Sequence, residues 1–304
     1  FLSTTENEDF AQAAATFRDK VDVAVSDAFG TDDDSVLSGE SQSPTGYVGS
    51  AHDTYPYTAV TYIEAAFPNG ETYTGSGAVV GENDVLTASH VIYSPAAGGF
   101  ADSITVYPGL DGSDLGYGGY EATLADYYEV DGDGDGLVNK SESGNDLAVL
   151  GFGTDFGNQT GWFGLDANAS SGTYNLTGYP GAYRTEQGPR MTNDKGAVTE
   201  DSFYPVFNYD SIESSVGSSG GPLWYQEDGG VYITGVASTG GWATDIASRY
   251  DDTLDAIDEN NYLYESSGVL TSAEASDGAD LANNAISSEL AGVTDASQFD
   301  VAFV

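Results

Sequence analysis

Three separate segments carry side chains that together could cleave an amide bond by nucleophilic attack. His90 ends the segment LTASH, Asp146 stands in GNDLAVL, and Ser219 lies in the glycine-rich segment GSSGGPL. A serine hydroxyl is a poor nucleophile near neutral pH and needs a neighbouring base. An imidazole titrates near pH 6.5, so it can take a proton and return it, and a carboxylate can hold the imidazole in one tautomer.

The order of these segments along the chain, His then Asp then Ser, resembles that of the chymotrypsin-like serine proteases. Two further segments, AVTYI at 59–63 and LTGYPG at 176–181, are similar to the bacterial glutamyl-endopeptidase branch of that family. The resemblance covers residues 45–262. It implies secretion, a protein or peptide as substrate, and a fold of two antiparallel β-barrels.

The resemblance also implies a role for each residue. Ser219 would be the nucleophile, His90 the general base, and Asp146 the group that orients the imidazole. The backbone N–H groups of Gly217 and Ser219 would form the oxyanion hole, where one donor contributes about 3 kcal/mol of transition-state stabilisation. Ser218 is an alternative nucleophile, but the register Gly-x-Ser-Gly-Gly-Pro favours Ser219.

The implied specificity pocket departs from the family. Glutamate-selective members carry a histidine where this chain has Ala237. Glu213 stands where trypsin-like members hold an acidic pocket floor, and a carboxylate there would attract Arg or Lys side chains; the alternative is that Glu213 faces solvent. Ser214 and Ser238 are further candidate lining residues. We expect the backbone of Ser238 and Gly240 to pair with an extended substrate.

A second motif lies just before Asp146. Residues 131–142, DGDGDGLVNKSE, match the twelve-residue EF-hand calcium loop at every ligand position. The expected oxygen donors are the side chains of Asp131, Asp133, Asp135, Asn139 and Glu142 and the carbonyl of Leu137. The flanks, 121–130 and 144–152, are typical of strands, so we expect a lone loop without an EF-hand helix pair. Bound Ca²⁺ would order the segment that leads into Asp146; the alternative is a merely acidic turn.

The charge balance narrows the function classes. The chain of 304 residues has 49 acidic and 7 basic side chains, for a net charge of -42. Such a chain is repelled by nucleic acid and by anionic lipid. It has no cysteine, which excludes disulfides and thiolate sites. The acidic surface indicates a marine, halophilic or calcium-rich extracellular setting; the alternative is a generic solubilising surface. We expect a bacterial secreted monomer, and His52 is expected at the surface.

Periodicity predicts an all-β protein framed by two helices. Helical spacing is found over 5–29 and 246–259, with Tyr250, Leu254 and Ile257 on one face of the second helix. Short runs typical of strands occupy 59–67, 77–80, 84–88, 103–107, 147–152, 174–176 and 231–236. These short strands alone favour an antiparallel sandwich or barrel. The family resemblance implies two six-stranded antiparallel barrels, to which the helical patterns add an N-terminal and a C-terminal helix. No apolar run approaches the ~18 residues of a membrane span.

The predicted organisation has three parts. Residues 1–46 would be a helical prosegment or an accessory segment, 47–262 the protease domain, and 263–304 a C-terminal extension. The sequence predicts a serine endopeptidase stabilised by calcium. Two alternatives stay open: a catalytically silent calcium-binding adhesion module on the same fold, and a zymogen that residues 1–46 hold inactive.

Overall fold

The computed structural model describes residues 46–132, 137–269 and 299–303. Beyond residue 264 it describes the course of the backbone only. The helix predicted over 5–29 and most of the predicted C-terminal extension lie outside the described residues. The division at 46 and at 262 therefore stays a prediction.

The first half of the described chain forms an antiparallel sheet. Its strands are β1 (Val60–Ala66), β2 (Thr72–Val79), β3 (Asp84–Thr87), β4 (Tyr93–Ser94), β5 (Gly99–Phe100), β6 (Ser103–Pro108), β7 (Tyr120–Glu121), β8 (Leu124–Tyr128) and β9 (Ala148–Gly151). Strands β4 and β5 pair only with each other. The others form the order β8-β9-β3-β2-β1-β6-β7, and a strand from the C-terminal end, Phe299–Phe303, extends the sheet beyond β8.

The second half forms a closed barrel. Its strands are β10 (Gly164–Leu165), β11 (Gly172–Gly178), β12 (Thr192–Glu200), β13 (Val206–Asn208), β14 (Pro222–Glu227), β15 (Gly230–Ala237) and β16 (Trp242–Asp245). The C-terminal strand Phe299–Phe303 is β17. Six strands pair in the ring β11-β12-β13-β16-β15-β14, and β10 joins β15 in parallel.

The two-barrel, trypsin-like fold is confirmed, with one difference in the first sheet. Within the described residues this sheet is a half-barrel, whereas the sequence predicts a closed one. The physical reason is that β17 pairs along the whole outer edge of β8, which is the edge that closure would require. The chain just before β8 still approaches β6, since Ala122 N donates to Ile104 O at 2.9 Å.

All seven strands predicted from the sequence are found within one to five residues of their predicted ends. The predictions missed β12 because its residues, TNDKGAVTE, are mostly polar and partly exposed. Such a strand shows no alternation of apolar and polar side chains, which is the signal that sequence analysis uses.

The described helices are α1 (Ser89–Ile92), α2 (Gly157–Thr160) and α3 (Tyr250–Val269). Short 3₁₀ turns lie at Gly49–Asp53, Tyr57–Ala59, Pro95–Ala97, Glu142–Asn145, Gly181–Tyr183 and Ile246–Arg249. No helix in the described part of the chain is both long and apolar enough to cross a membrane.

The C-terminal helix is confirmed but buries a different face. The turn Ile246–Arg249 continues into α3, and Asp245 caps this turn by accepting from Ala247 N at 2.9 Å. Of the predicted face, Tyr250 and Ile257 pack on the core, whereas Leu254 is 37% exposed. The side chains fully buried in its place are Thr253, Ala256 and Asn260, and the first and last of these are polar and carry no hydrophobic signal.

One apolar core spans both halves of the described chain. It joins β1, β3 and β9 of the half-barrel to Trp224 and Ile233 of the closed barrel, and a second, smaller cluster around Phe207 fills the closed barrel. Phe163 packs edge-on against Trp224 with 5.8 Å between the ring centroids. The two halves are therefore held together by apolar contacts. Such close packing fixes the positions of side chains where the two halves meet.

Candidate active site

Each predicted triad residue stands at the end of an element. His90 lies in the first turn of α1, directly after β3, and Asp146 lies between a 3₁₀ turn and β9. Ser219 lies in the turn that leads into β14. Because β3 and β9 are paired neighbours, the fold brings the first two together from 56 positions apart.

His90 and Asp146 form a buried pair. The Nδ1 of His90 lies 2.6 Å from Asp146 Oδ2, and the His90 backbone N–H donates to Oδ1 at 2.9 Å. A third donor, the Ser238 hydroxyl, lies 2.5 Å from Oδ2. Asp146 has no exposed surface, so all its charge is met by these protein donors.

The pKa values of the pair move apart. Burial alone raises the pKa of Asp146, but the charge of His90 and the hydrogen bonds from His90 and Ser238 outweigh burial and hold that pKa below its ordinary value. Burial alone lowers the pKa of His90, and the carboxylate outweighs it, so this pKa is raised. The arrangement keeps a carboxylate beside an imidazole that readily holds a proton, as a general base requires.

Ser238 connects this pair to Ser219. Its hydroxyl donates to Asp146, and its carbonyl accepts from Ser219 Oγ at 3.4 Å. The turn of Ser219 also packs against the residues before His90: a Cβ on Gly220 would lie 3.1 Å from Ala88 N. The structure thus links Asp146 to Ser219 through Ser238 and packs the turn of Ser219 against the segment before His90. Ser219 Oγ makes no hydrogen bond to His90 in the described part of the chain.

The two neighbouring serines differ in placement. Ser218 is 5% exposed, and its Oγ accepts from Ser215 N at 3.2 Å, within the turn. Ser219 is partly exposed toward the cleft. This placement favours Ser219 over Ser218 as the group that meets a substrate.

Two peptide groups of this turn are held through their carbonyls. Within the described residues, neither Gly217 N nor Ser219 N donates to a protein acceptor. The carbonyls of the same two peptide groups are held elsewhere, since Val216 O accepts from Gly181 N at 2.7 Å and Ser218 O from Gly221 N at 2.9 Å. In a trans peptide the N–H points opposite to the C=O, so these bonds aim both N–H groups away from the protein contacts. Backbone N–H groups without a protein partner are the donors that an oxyanion hole uses.

The predicted pocket residues are only partly brought together. Ala237 is fully buried, and its backbone makes hydrogen bonds to Gly220 and Gly221 in the turn that contains Ser219. The N–H of Ser238 already donates to Trp242 O at 2.9 Å, so it is not available to a substrate strand. Gly240, with φ of 56°, has no recorded backbone partner within the described residues and stays available.

Glu213 lies at the surface. Its carboxylate accepts from the Tyr183 hydroxyl, and its N–H donates to Asp194 Oδ2 at 2.7 Å. This placement favours the solvent-facing alternative over a pocket floor. Ser214 is also exposed, and it lies near buried Tyr209, whose pKa is raised by burial to about 12. Tyr209 was missed by the sequence analysis because one tyrosine among 21 carries no signal.

The predicted calcium loop is described at its two ends. Asp131 is buried, and Glu142 opens the turn before Asp146. The Glu142 carboxylate accepts from Gly132 N at 3.0 Å and from Asn139 N at 2.9 Å, which closes the loop. Asp133 and Asp135 lie outside the described residues. Within the described part, no three His, Asp or Glu side chains converge as for a metal.

Two other expected ligands stand as follows. Leu137, expected to bind through its carbonyl, has a side chain that is 54% exposed. The Oδ1 of Asn139 accepts from Ser141 N at 2.9 Å and from Ser141 Oγ at 2.6 Å. The loop follows β8 and leads through a 3₁₀ turn into β9, so no helix pair flanks it. An oxygen-only donor set at a turn with Asp and Glu at its ends fits the chemistry of Ca²⁺.

Residues of the loop exit contact the triad. Ser143 N donates to Asn139 O at 2.9 Å, and the Ser143 hydroxyl lies 3.1 Å from that of Ser238. The Thr244 hydroxyl lies 2.7 Å from Ser143 O and 2.8 Å from Asp146 O, and its one proton can go to either oxygen. Sequence analysis missed Ser143 and Thr244, since isolated hydroxyl residues in a chain rich in them carry no pattern.

His52, the second histidine, is away from this site. Its Nδ1 lies 2.7 Å from Gly109 O, and its side chain is 12% exposed, less than expected for a surface residue. It anchors a turn and contacts none of the triad residues.

Comparison with known proteins gives the family. The family model described as Trypsin matches residues 45–252. A glutamyl endopeptidase of Bacillus licheniformis is 27% identical over 187 residues, 60% of this chain and 54% of that protein. An extracellular metalloprotease of Bacillus subtilis is 32% identical over 136 residues, 43% of this chain and 41% of that protein. The chain thus spans about half the length of these curated relatives.

A solved structure, of a Glu endopeptidase in complex with MPD, has the same fold. It is 24% identical, with a TM-score of 0.54, and the match covers 70% of this chain and 98% of that one. Since the trypsin model also matches more than half of the chain, the protein belongs to the trypsin family of chymotrypsin-like serine proteases.

Proposed function

We propose that the protein is a secreted serine endopeptidase that uses Ser219, His90 and Asp146 as its triad. The observation that carries the proposal is the buried carboxylate of Asp146, which has donors from His90 and Ser238 and lies beside the turn of Ser219. Burying a carboxylate costs folding free energy unless hydrogen-bond donors or a charge compensate it. The position of Asp146 against the imidazole is the one that general-base catalysis uses.

The reaction proceeds in two halves. Ser219 Oγ attacks the carbonyl carbon of the scissile peptide while His90 Nε2 takes its proton, and the negative oxygen is stabilised by the N–H groups of Gly217 and Ser219. The C–N bond then breaks, His90 gives its proton to the leaving amine, and an ester to Ser219 remains. Water attacks this ester with His90 again as base, which releases the acid and the free hydroxyl.

The nucleophile is tested by labelling with a fluorophosphonate probe and mass spectrometry of the labelled peptide. We expect the label on Ser219, its loss in Ser219→Ala, and its retention in Ser218→Ala, the matched neighbouring serine. Label on Ser218 would make that residue the nucleophile, whereas no label on the folded protein with calcium, after removal of residues 1–46, would favour the catalytically silent calcium-binding module.

Substrate preference belongs to the same proposal. Ala237 replaces the histidine of glutamate-selective relatives, and Glu213 lies at the surface, so no charged side chain is assigned to the pocket. We propose that the protein cleaves after uncharged residues. A peptide-library cleavage profile tests this: a strong preference for Arg or Lys would restore Glu213 as a pocket residue.

We propose that the loop 131–142 binds Ca²⁺ and stabilises the active site. The support is the motif, the closure of the loop by Glu142, and the contacts from Ser143 to Ser238 and from Thr244 to Asp146 O. Ca²⁺ would supply positive charge to carboxylates that otherwise repel one another, and binding to the native state stabilises it by RT ln(1 + [Ca]/Kd).

Calcium titration followed by calorimetry tests the loop. We expect Ca²⁺ to raise Tm and EDTA to reverse this, and Asp131→Asn with Glu142→Gln to abolish the shift. Asp228→Asn, in an exposed turn elsewhere, is the control and should keep it. If Ca²⁺ does not change Tm after the metal has been shown to be removed, the loop is an acidic turn that binds no calcium.

Secretion and activation are further parts of the proposal. One curated relative is named an extracellular protease, and an acidic, cysteine-free chain suits that setting. For residues 1–46 we propose a removable prosegment. Activity of the full chain is compared with that of the chain after cleavage near Val48; equal activity would favour a retained accessory segment.

A further inference from the structure

Ser76 reaches across the cleft from the half-barrel to the nucleophile turn. It lies on β2 and has no exposed surface. Its hydroxyl donates to Gly217 O at 2.7 Å and accepts from Tyr179 N at 2.9 Å. Gly217 and Tyr179 both belong to the half of the chain that forms the closed barrel. One hydroxyl of the half-barrel therefore joins the turn of Ser219 to the end of β11.

The backbone of Ser76 is held independently of this hydroxyl. Its N–H donates to Ser219 O at 2.7 Å, and its carbonyl accepts from the Thr87 hydroxyl at 2.8 Å. Removing only the hydroxyl therefore leaves β2 attached to the turn and to the strand that leads to His90.

The space around the hydroxyl is closely fitted. A Cβ on Gly178 would lie 2.7 Å from Ser76 Oγ, closer than packed atoms tolerate, so the glycine leaves room for the hydroxyl. A side chain larger than serine at position 76 would therefore be crowded against Gly178.

The Gly217 carbonyl, which accepts from Ser76, belongs to the peptide group between the two proposed oxyanion donors. The peptide group from Gly217 to Ser218 separates the N–H of Gly217 from the N–H of Ser219. Gly217 has φ of 94° and no side chain, so this peptide can rotate with little steric resistance unless something holds it. Ser76 Oγ holds its carbonyl, and Ser215 O holds its N–H at 2.9 Å.

We infer that Ser76 is a positioning residue for the oxyanion hole, an inference that rests on the proposed role of the Gly217 and Ser219 N–H groups. Its hydroxyl fixes the central peptide and thereby the angle between the two donors. It touches neither substrate nor reacting atoms. Without it, the buried Gly217 carbonyl loses its partner, and the turn gains orientations in which the donors no longer converge.

The variant Ser76→Ala tests this with a fluorogenic peptide chosen by library profiling. We expect kcat to fall by about 10- to 100-fold, below the ~10²–10³ seen when a donor is deleted, and KM to change by less than about threefold. The loss falls on kcat because the oxyanion exists only in the transition state and not in the bound substrate.

A vibrational readout separates positioning from simple loss of stability. In an acyl-enzyme made with a cinnamoyl imidazole, hydrogen bonds to the ester oxygen lower the carbonyl stretching frequency. We expect this frequency to rise in Ser76→Ala. The control is Thr58→Val, which removes a hydroxyl that is equally buried and donates to Thr160 O at 2.6 Å, outside the site. It should lower Tm but leave frequency and kcat unchanged.

Ser76→Cys supplies a weaker and somewhat larger donor, so its Tm is measured beside that of Ser76→Ala; once folded, it should give intermediate frequency and kcat. A folded Ala or Cys variant with the frequency and kcat of the original protein overturns the inference. Failure of both variants to fold also overturns it, since the hydroxyl would then be needed for the fold. If the original protein forms no acyl-enzyme at Ser219, the proposed function itself fails, which is a different result.

Discussion

At the scale of single residues, the site depends on how one buried carboxylate is satisfied. Asp146 receives the side chain and backbone N–H of His90 and the hydroxyl of Ser238, and it accepts no solvent. Because the charge of Asp146 raises the pKa of His90, the imidazole is held in place and stabilised when it takes the serine proton. Activity should therefore rise as the pH rises through the pKa of His90, which lies above its ordinary value.

Asp146→Asn removes this charge. We expect kcat to fall on the order of 10⁴-fold and the acid limb of the pH–rate profile to move to lower pH, because the histidine loses the group that raises its pKa. The measurement is kcat/KM against pH. Asp126→Asn, another buried aspartate of the half-barrel, is the control and should keep the original profile. An unchanged acid limb in Asp146→Asn would contradict the assignment.

Two glycines with the same backbone angle give a second residue-scale prediction. Gly220 has φ of 81° and Gly229 has φ of 84°. A Cβ on Gly220 would lie 2.1 Å from Ser76 O, whereas nothing lies within 4 Å of one on Gly229. We expect Gly229→Ala to cost about 1–2 kcal/mol of unfolding free energy and to stay active. Gly220→Ala should cost more and lose activity.

Urea unfolding and activity per folded molecule measure both variants. Since the left-handed backbone is common to the pair, their difference reports the close approach of Gly220 to Ser76 of β2 and Thr87 of β3. Equal stability losses would show that the nucleophile turn is free to move away from β2.

At the scale of elements, α3 covers a polar part of the half-barrel. Asn260 of α3 is buried and donates to Asp84 Oδ1 at 2.9 Å. Burial raises the pKa of Asp84 to about 7, and it raises that of Asp126 on β8 to about 7 as well, with further contributions from Glu259 and Asp84. The folded state therefore keeps protons on these groups that the unfolded chain releases near pH 4.

This proton retention makes stability fall as pH rises between about 4 and 7, because the folded state binds more protons there than the unfolded chain. Asp126→Asn carries no charge at any pH. We expect its Tm to exceed that of the original protein by roughly 2–6 °C at pH 8 and to match it near pH 4. Calorimetry across this range is the measurement, with the exposed Asp102→Asn as control. A Tm difference independent of pH would refute the buried-proton explanation.

At the scale of the whole molecule, the net charge of -42 sets the response to salt. Like charges destabilise the compact state by mutual repulsion. Raising NaCl from 10 mM to 1 M shortens the Debye length from about 30 to about 3 Å, so repulsion between surface carboxylates is screened. We expect Tm to rise with NaCl in the presence of EDTA.

KCl should give the same rise as NaCl if screening is the cause, and Ca²⁺ at millimolar concentration should add a separate rise that Asp131→Asn removes. A Tm that falls with NaCl would show that attractive ion pairs, such as Arg190 with Asp111 at 3.0 Å, outweigh the repulsion.

The amino-acid sequence alone determined the family and the strands with clear periodicity. It also predicted the roles of His90, Asp146 and Ser219 and the calcium motif, because each of these is a local pattern of residue types. It could not assign Ser76, Ser238 as a donor, Thr244 or Tyr209, since a single hydroxyl becomes specific only through the partner that folding brings to it. It also offered two positions for Glu213 and could not choose between them.

The tertiary structure decided these points because they depend on distances between residues far apart in the chain. β17 pairs with the edge of β8 that would otherwise close the first barrel. Glu213 lies at the surface, where its carboxylate accepts from the Tyr183 hydroxyl. The hydroxyl of Ser76 meets Gly217 across 141 positions of sequence, a separation over which no local pattern carries information.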